Sequence, residues 1–584
     1  MVIHRQATNP RLSAEHTGYG TPKQQPGPGH AHKPEEAQVE RYWIRQYFAI
    51  FFVFLVLSFQ EQIIGNLMPY ITSSFGHHGL LSTVSVASST ISAVSKLPVA
   101  TTVEACGDYS TYLGLVFLCV TGMMVVPFSA NIWVFSLVKV LYSVGDNSIT
   151  YLIDIALIRG SSLQQRSCFL ALAASPCLIA TFVAPPIAER FLGQSSYVWG
   201  FMALVGVTLI SCVSMSSLIF RPRGTLLEPR ASARRNNTSS FITKFIGIVL
   251  FTLSLLITLL PLSFLGSLSH GQMLLHLAAG SASWLSFCAL EYQSTSDCFF
   301  PTYLLRSRTV LLSSFTGFGL WMSFFEADRI SFHDIYFSSY LQVAYGLEIS
   351  SAGYIGGLYN VMSCIGALVS GFYALRYGRI KRLAVIAVQL HALSILLMSG
   401  FVRRDGAILC LTAGQALNGL SGGILMYSGQ TIAMAAAKKA PAKPHHHDDG
   451  VRDTEADPES NHATTSEADE IVSLALVNLF DSTGSSIGQS LAGFLYSSLM
   501  PQLLREYLPG HARDQWRFIY SSIKVQLHWP IGSRIRESVI HAFVDTWWYL
   551  CAVSFAITLF LIPCVLCWED IDLAELDKSR DECR

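Results

Sequence analysis

Four polar residues, Gln60, Glu61, Gln62 and Asn66, interrupt an apolar run that extends from Phe51 to Pro69. On a helix Gln62, Asn66 and Tyr70, spaced four apart, share one face, and Glu61 stands about 100° round from Gln62. The first face offers amides and a phenol to a polar cargo, and Glu61 offers a carboxylate that can carry a proton. A carboxylate at mid-bilayer costs about 2.5–3.5 kcal/mol on insertion scales, so such a residue faces a cavity, a partner or a proton path. The alternative is a Glu61 near the outer end of the span, reaching interfacial water. Asp154 lies deep in a second apolar stretch, where it could exchange a proton or be held by Asn147 or Tyr151 one turn away. Glu189, Glu326, Asp328, Arg329, Asp334, Asp481 and Asp545 also lie in or beside apolar windows, and Asp334 joins Glu61 and Asp154 as a proton-coupling candidate.

The elements that position these groups follow from composition. The 584 residues are 51% hydrophobic and only 13% charged, with a mean hydropathy of +0.41, whereas soluble domains carry about 25% charged residues. This is a polytopic, all-α membrane protein. Windows near the ~20 residues needed to cross the hydrocarbon core fall at about 46–68, 81–101, 111–130, 132–157, 167–189, 198–220, 241–263, 272–290, 309–326, 350–375, 382–402, 406–436, 471–499 and 546–568, fourteen in all. Arg221, Arg223, Arg230, Arg234 and Arg235 in the gap at 221–240 assign that linker to the cytoplasm, because basic loops stay inside. Both termini are then cytoplasmic, and Arg159, Arg166, Arg306, Arg308, Arg376, Arg379, Lys381 and Arg382 fall on the same side.

The expected organisation is a disordered tail over 1–45, a six-helix lobe over 46–220, the linker 221–240, and eight further helices over 241–568. The last part carries a cytoplasmic loop at 437–470 and an outer loop at 500–545, and residues 569–584 form a second tail. Pro176, Pro185 and Pro186 should bend or break the fifth span, since each removes a backbone donor and clashes one turn back. The small-residue run Asp481 to Gly488 suits close helix packing in lipid.

Several functions are disfavoured. Zero formal net charge and no basic patch with interleaved aromatics argue against nucleic-acid binding. The absence of a G-x-x-x-x-G-K-[ST] loop leaves no ATP-driven motor in this sequence. His445, His446 and His447 are adjacent and cannot all face one ion on regular structure, and Cys564 and Cys567 lie in the final apolar span as packing material. No metal site, cofactor or catalytic constellation is expected.

Three stretches carry a resemblance. They are Pro69-Tyr70 through Ser73-Ser74-Phe75, His78 and Leu80 to Thr83; Tyr336 to Val343 with Ser351 to Ile355; and Leu504 to Pro509 through Trp516, Ile519-Tyr520, Val525 to Leu527, Pro530, Gly532-Ser533 and Ile535-Arg536. Together they resemble fungal siderophore-iron transporters, a fourteen-span branch of the major facilitator superfamily, from about residue 45 to 570.

The resemblance implies a two-lobed bundle that takes up ferric hydroxamate-type chelates by proton symport, as a monomer in the plasma membrane or an endosomal or vacuolar membrane. The substrate cavity would draw on Gln62, Asn66, Tyr70, Tyr336, Tyr340 and Gln342. The partners are the ferric siderophore chelate, protons and the lipid bilayer. Gating would involve Glu104, Arg376 and Arg379. Against the family pattern, Thr101 and Asp108 stand where cations latch the cytoplasmic gate, Arg159 stands where an acid is usual, and Gln60 replaces an aspartate. Efflux of a toxin or drug, or non-transporting siderophore sensing, stay open as alternatives.

Overall fold

The computed structural model describes residues 33–74, 81–159, 161–193, 197–219, 238–263, 270–293, 302–327, 337–400, 407–439 and 458–582. Its contacts separate Met1–Arg45 from Gln46–Arg584, and the site described below lies in the second unit. The helices are α1 (Lys33–Ser74), α2 (Leu81–Cys106), α3 (Asp108–Val125), α4 (Ile132–Arg159), α5 (Leu163–Ala174), α6 (Cys177–Gly193) and α7 (Tyr197–Ile219). They continue as α8 (Thr238–Ser263), α9 (His270–Gln293), α10 (Thr302–Leu305), α11 (Arg308–Ala327), α12 (Phe337–Tyr345), α13 (Ile349–Tyr377) and α14 (Lys381–Gly400). The last six are α15 (Ala407–Lys439), α16 (Pro458–Tyr507), α17 (Trp516–Ser521), α18 (Ile523–His528), α19 (Arg534–Leu566) and α20 (Leu573–Glu582).

Local chemistry sets several boundaries. The Asn131 carboxamide accepts from the N–H groups of Trp133 and Val134 at 3.1 and 2.9 Å and starts α4, which satisfies donors that a helix N-terminus leaves unpaired. Ser175-Pro176 separates α5 from α6, while Pro185 and Pro186 are carried inside α6. Gly378, at φ 69°, closes α13 in the left-handed conformation that a side chain resists.

Three sequence expectations change. Helix α1 begins at Lys33, inside the segment read as a disordered tail, because Lys33-Pro34-Glu35-Glu36-Ala37-Gln38 is rich in good helix formers. The loop at 437–470 is shorter than expected: α15 runs to Lys439, whose cation suits a helix C-terminus, and α16 starts at Pro458, a residue at home in a first turn. The final segment, read as a tail, forms α20.

All fourteen windows are helical, but only nine of the described helical segments are long and apolar enough to cross a membrane. The other windows, on α2, α4, α8, α9 and α11, are shorter in apolar length or more polar. Polarity has a structural reason in α2 and α4, which carry Lys96, Lys139, Asp146 and Asp154 inward.

Among the described residues, packing links α2–α4 with α7 and, through α4–α5 and α6–α7, with α5 and α6 (an N-terminal lobe that α1 joins through Gln60 and Thr208), and links α11, α13–α16 and α19 with one another (a C-terminal lobe). Across the seam, the second helix of one lobe meets the fifth of the other: α2 packs on α16, and α13 packs on α5 and α6. Small residues permit this approach. A Cβ added at Gly357 would clash with Thr181 Cγ2, and one at Gly371 would lie 2.7 Å from Cys168 Cα. The pair α8–α9 packs on α2, and α8 also packs on α16, where Phe251, Leu255 and Leu259 bury against Val86, Val94 and Leu479.

Candidate functional site

The polar ladder on α1 divides between two environments. Gln60 is fully buried and accepts from Thr208 Oγ1 of α7 at 2.9 Å. Glu61 keeps an exposed surface although Lys139, Tyr142 and Asp146 of α4 and Cys177 of α6 are its electrostatic neighbours. These neighbours come from two other helices, α4 and α6. Lys139 Nζ lies 4.8 Å from the Tyr142 ring centroid. Gln60 also hydrogen-bonds the side chains of Asp146 and Cys119, which ties the buried end of the ladder to α3 and α4.

A second charged cluster joins the lobes. Lys96 of α2 has Asp154 of α4 and Asp481 of α16 as its charged neighbours. Asp481 is aimed at α11, where Gly317 leaves room for its Oδ1 that a Cβ would fill. Tyr427 of α15 sits among Asp154, Cys177 and Cys364, and so links the two clusters. The adjoining seam is polar as well: Ser89 Oγ lies 3.1 Å from Ser486 Oγ and donates to Gln489 Oε1 at 3.3 Å.

At the end of the bundle where α1 finishes, Tyr70 Oη donates to Gln342 Oε1 at 2.7 Å and joins α1 to α12. Gln342 is held from behind by the buried Arg536 guanidinium, which donates to the carbonyls of Gln342, Val343 and Trp529 at 2.9, 2.8 and 2.8 Å. Arg536 thus caps the last turn of α12. Asn66 Nδ2 donates to Gln62 O at 2.9 Å, and its Oδ1 approaches Gly353 of α13. Tyr340 is buried among Tyr345, Phe543 and Trp547, in an aromatic cluster.

Contacts also join the helices at the opposite, basic end. Arg166 of α5, 2% exposed, donates through Nη1 to Glu470 Oε2 of α16 at 2.5 Å, between lobes. Gln164 Nε2 donates to the carbonyls of Ala374 and Leu375 at 3.2 and 2.8 Å. Tyr303 donates to Asp469 Oδ1 at 2.6 Å, and burial beside that carboxylate pushes its hydroxyl above the usual tyrosine range. Arg159 pairs with Asp108 at 3.5 Å. Asp108 and Arg159, two of the positions that depart from the family pattern, are therefore partners between the start of α3 and the end of α4.

Gln62, Asn66, Tyr70 and Gln342 come together near one mouth, whereas Glu61 and Asp154 belong to separate clusters. No hydrogen bond links Asp154 to Asn147, whose Nδ2 instead donates to Ser143 O at 2.9 Å. Arg376 stacks its guanidinium near Tyr377, and Arg379 pairs with Asp572 at 3.3 Å. Asp334 and Tyr336 lie outside the described residues, as does the Glu104 side chain. Sequence reasoning missed Lys96, Lys139, Asp146 and Tyr427. The signal was present: a lysine inside an apolar window is as costly as a carboxylate and implies an acid nearby.

One pair of thiols offers a direct check of the seam. Cys177 of α6 and Cys364 of α13 are in hydrogen-bonding contact, and Cys364 Sγ lies 3.6 Å from Ala174 O. Treating membranes with a permeant thiol oxidant is expected to link the two and tie the lobes together. Reductant should release the link, and Cys364→Ser should prevent it, as read by peptide mass spectrometry; no crosslink in the unmodified chain would contradict this packing.

Comparison with known proteins agrees with this architecture. The chain is 27% identical to "MFS siderochrome iron transporter D" of Aspergillus fumigatus, covering 86% of this chain and 80% of that protein. It is 28% identical to "MFS siderochrome iron transporter 1" of Ajellomyces capsulatus, over 91% of this chain and 87% of the relative. A crystal structure of the peptide transporter POT in complex with alafosfalin superposes with a TM-score of 0.51 at 12% identity, covering 88% of this chain and 93% of the other, a likeness of fold alone. The Major Facilitator Superfamily model matches residues 50–443. With more than half of its length under that model, two lobes and a polar centre between them, the chain belongs to the Major Facilitator Superfamily of membrane transporters.

Proposed function

We propose that this protein takes up ferric siderophore chelates of the hydroxamate type by proton symport. The observation that carries the reading is a polar centre with bridging contacts at each end, Tyr70 to Gln342 and Arg166 to Glu470, in a chain whose relatives named for siderochrome iron transport align over most of both lengths. All fourteen helical windows cross the bilayer in this reading, with the basic end and both termini in the cytoplasm. The protein acts as a monomeric carrier in the plasma membrane, and not as an enzyme.

The chemistry follows from the cargo. A ferric chelate arrives with its iron already ligated, so recognition needs amides, hydroxyls and aromatic faces and no metal ligands. Gln62, Asn66, Tyr70 and Gln342 supply the first two at the outer mouth, and separating Tyr70 from Gln342 frees a phenol and an amide for the chelate. Glu61 accepts the proton, beside Lys139 and Asp146, whose charges make the cluster's electrostatics depend on whether that proton is bound. Alternating access then consists of rocking the lobes about the α2–α16 and α13–α5/α6 seams.

A yeast strain lacking its own siderophore carriers and expressing this chain is expected to accumulate radio-iron from hydroxamate chelates, more at acidic than at neutral external pH. Failure with every chelate of a panel would remove the uptake reading. Export of a preloaded toxin would replace it with efflux, and a transcriptional response without accumulation would replace it with sensing.

A further inference from the structure

We propose that α20 is a cytoplasmic strap of the transport cycle, in which the Asp577 carboxylate ties the N-terminal lobe to the C-terminal lobe and must let go before the basic end opens. The proposal rests on the transport reading and adds to it a gating residue beyond the last span.

The strap has a fixed end and a reaching end. Its fixed end belongs to the C-terminal lobe: Trp568 is 2% exposed, and its carbonyl accepts from Lys381 Nζ at 2.7 Å. Ile571 and Leu573 are buried, Leu573 N–H donates to Gly378 O at 3.0 Å, and Arg379 pairs with Asp572. At its reaching end, Asp577 Oδ1 accepts from Leu163 N–H at 3.3 Å and Oδ2 from Gln164 N–H at 3.0 Å, the first two residues of α5 in the other lobe. Lys438 of α15 completes the clasp, with Nζ 3.6 Å from Asp577 Oδ1 and donating to Leu576 O at 3.1 Å.

The local sequence of α5 leaves a place for this carboxylate. Ser162 stands at the N-cap but makes no side-chain capping bond, so the first amides of α5 are served from more than four hundred residues away. A carboxylate at a helix N-terminus is favoured by the unpaired N–H groups and by the helix dipole. Unlike the nearby Arg166–Glu470 pair, Asp577 and Lys438 keep some solvent contact, with side chains 18% and 12% exposed. Water can therefore replace their partners on release, which suits a contact broken in every cycle.

The test reads the basic end directly. Cys168 of α5 is buried against Gly371 of α13 at that end of the seam, so its alkylation by an impermeant maleimide in inside-out membrane vesicles, followed by peptide mass spectrometry, reports opening. Asp577→Asn is expected to raise the Cys168 rate about fivefold, the size of one lost helix cap. Removing residues 573–584 should raise it at least as much, and Asp577→Glu should restore the original rate. Cys119 and Cys212, buried within the N-terminal lobe, should stay unmodified throughout. Unchanged Cys168 reactivity in both the Asn variant and the truncation overturns the strap, and so does parallel labelling of Cys119, which would make α20 a brace for the lobe and not a gate. Labelling needs no cargo, so its result stands whether or not hydroxamate uptake is found.

Discussion

Replacing Glu61 by glutamine is expected to abolish proton-driven accumulation of the iron chelate while leaving exchange of chelate across the membrane in place. Glutamine keeps the shape and hydrogen-bonding reach of the side chain, but it cannot bind and release a proton near neutral pH. With one proton per cycle, each pH unit across the membrane is worth about 1.4 kcal/mol and supports about a tenfold gradient of a neutral cargo. Accumulation in the variant should fall to equilibration, and its rate should lose its dependence on external pH. Because Lys139 and Asp146 are the charged neighbours of Glu61, Asp146→Asn should shift the pH dependence without removing it. Retained, pH-dependent accumulation in Glu61→Gln would move the coupling proton elsewhere, with Asp154 beside Lys96 as the next residue to test.

The second large effect lies at the buried pair between Arg166 and Glu470, with side chains 2% and 1% exposed. Removing one partner strands a charge in a low-dielectric seam, which typically costs about 3–5 kcal/mol, whereas replacing both with apolar residues of similar volume is often neutral or stabilising. Arg166→Met or Glu470→Leu alone should therefore lower the thermal stability of the detergent-solubilised protein sharply, and the double substitution should recover most of it. Transport should not recover in parallel, because an apolar plug lacks the attraction that re-forms the contact at the basic end in each cycle. Recovery of both stability and uptake in the double variant would reduce the pair to packing.

Much of this architecture was legible in the sequence because lipid imposes simple rules. A helix must satisfy its own backbone in hydrocarbon, so each apolar window is a helix, and the basic linker and loops give a consistent sidedness. The windows on α2 and α4 were legible as helices from length, while their polar residues were legible only in part. The carboxylates stand out singly against the apolar windows, whereas their pairing with Lys96 and Lys139 appears only in three dimensions. Pairing across the lobes, as in Arg166 with Glu470 or Asp577 with the start of α5, joins residues about 300 and 400 positions apart, and no local pattern encodes that distance. Tyr340 shows the converse: an aromatic residue in a family-like stretch reads equally well as cavity wall or packing, and only its neighbours Phe543 and Trp547 reveal which surface it meets. Asp108 and Arg159 were each legible as a departure, and their contact turns two departures into one pair.

The most direct measurement of the central claim uses purified protein in sealed proteoliposomes with an imposed pH difference and an external radio-iron hydroxamate chelate. Acid outside should drive chelate inward above equilibrium, a protonophore should collapse the gradient, and reversing the pH difference should reverse the direction. Chelate entry that merely equilibrates whatever the pH difference, or no entry of any chelate, would contradict proton-coupled siderophore uptake.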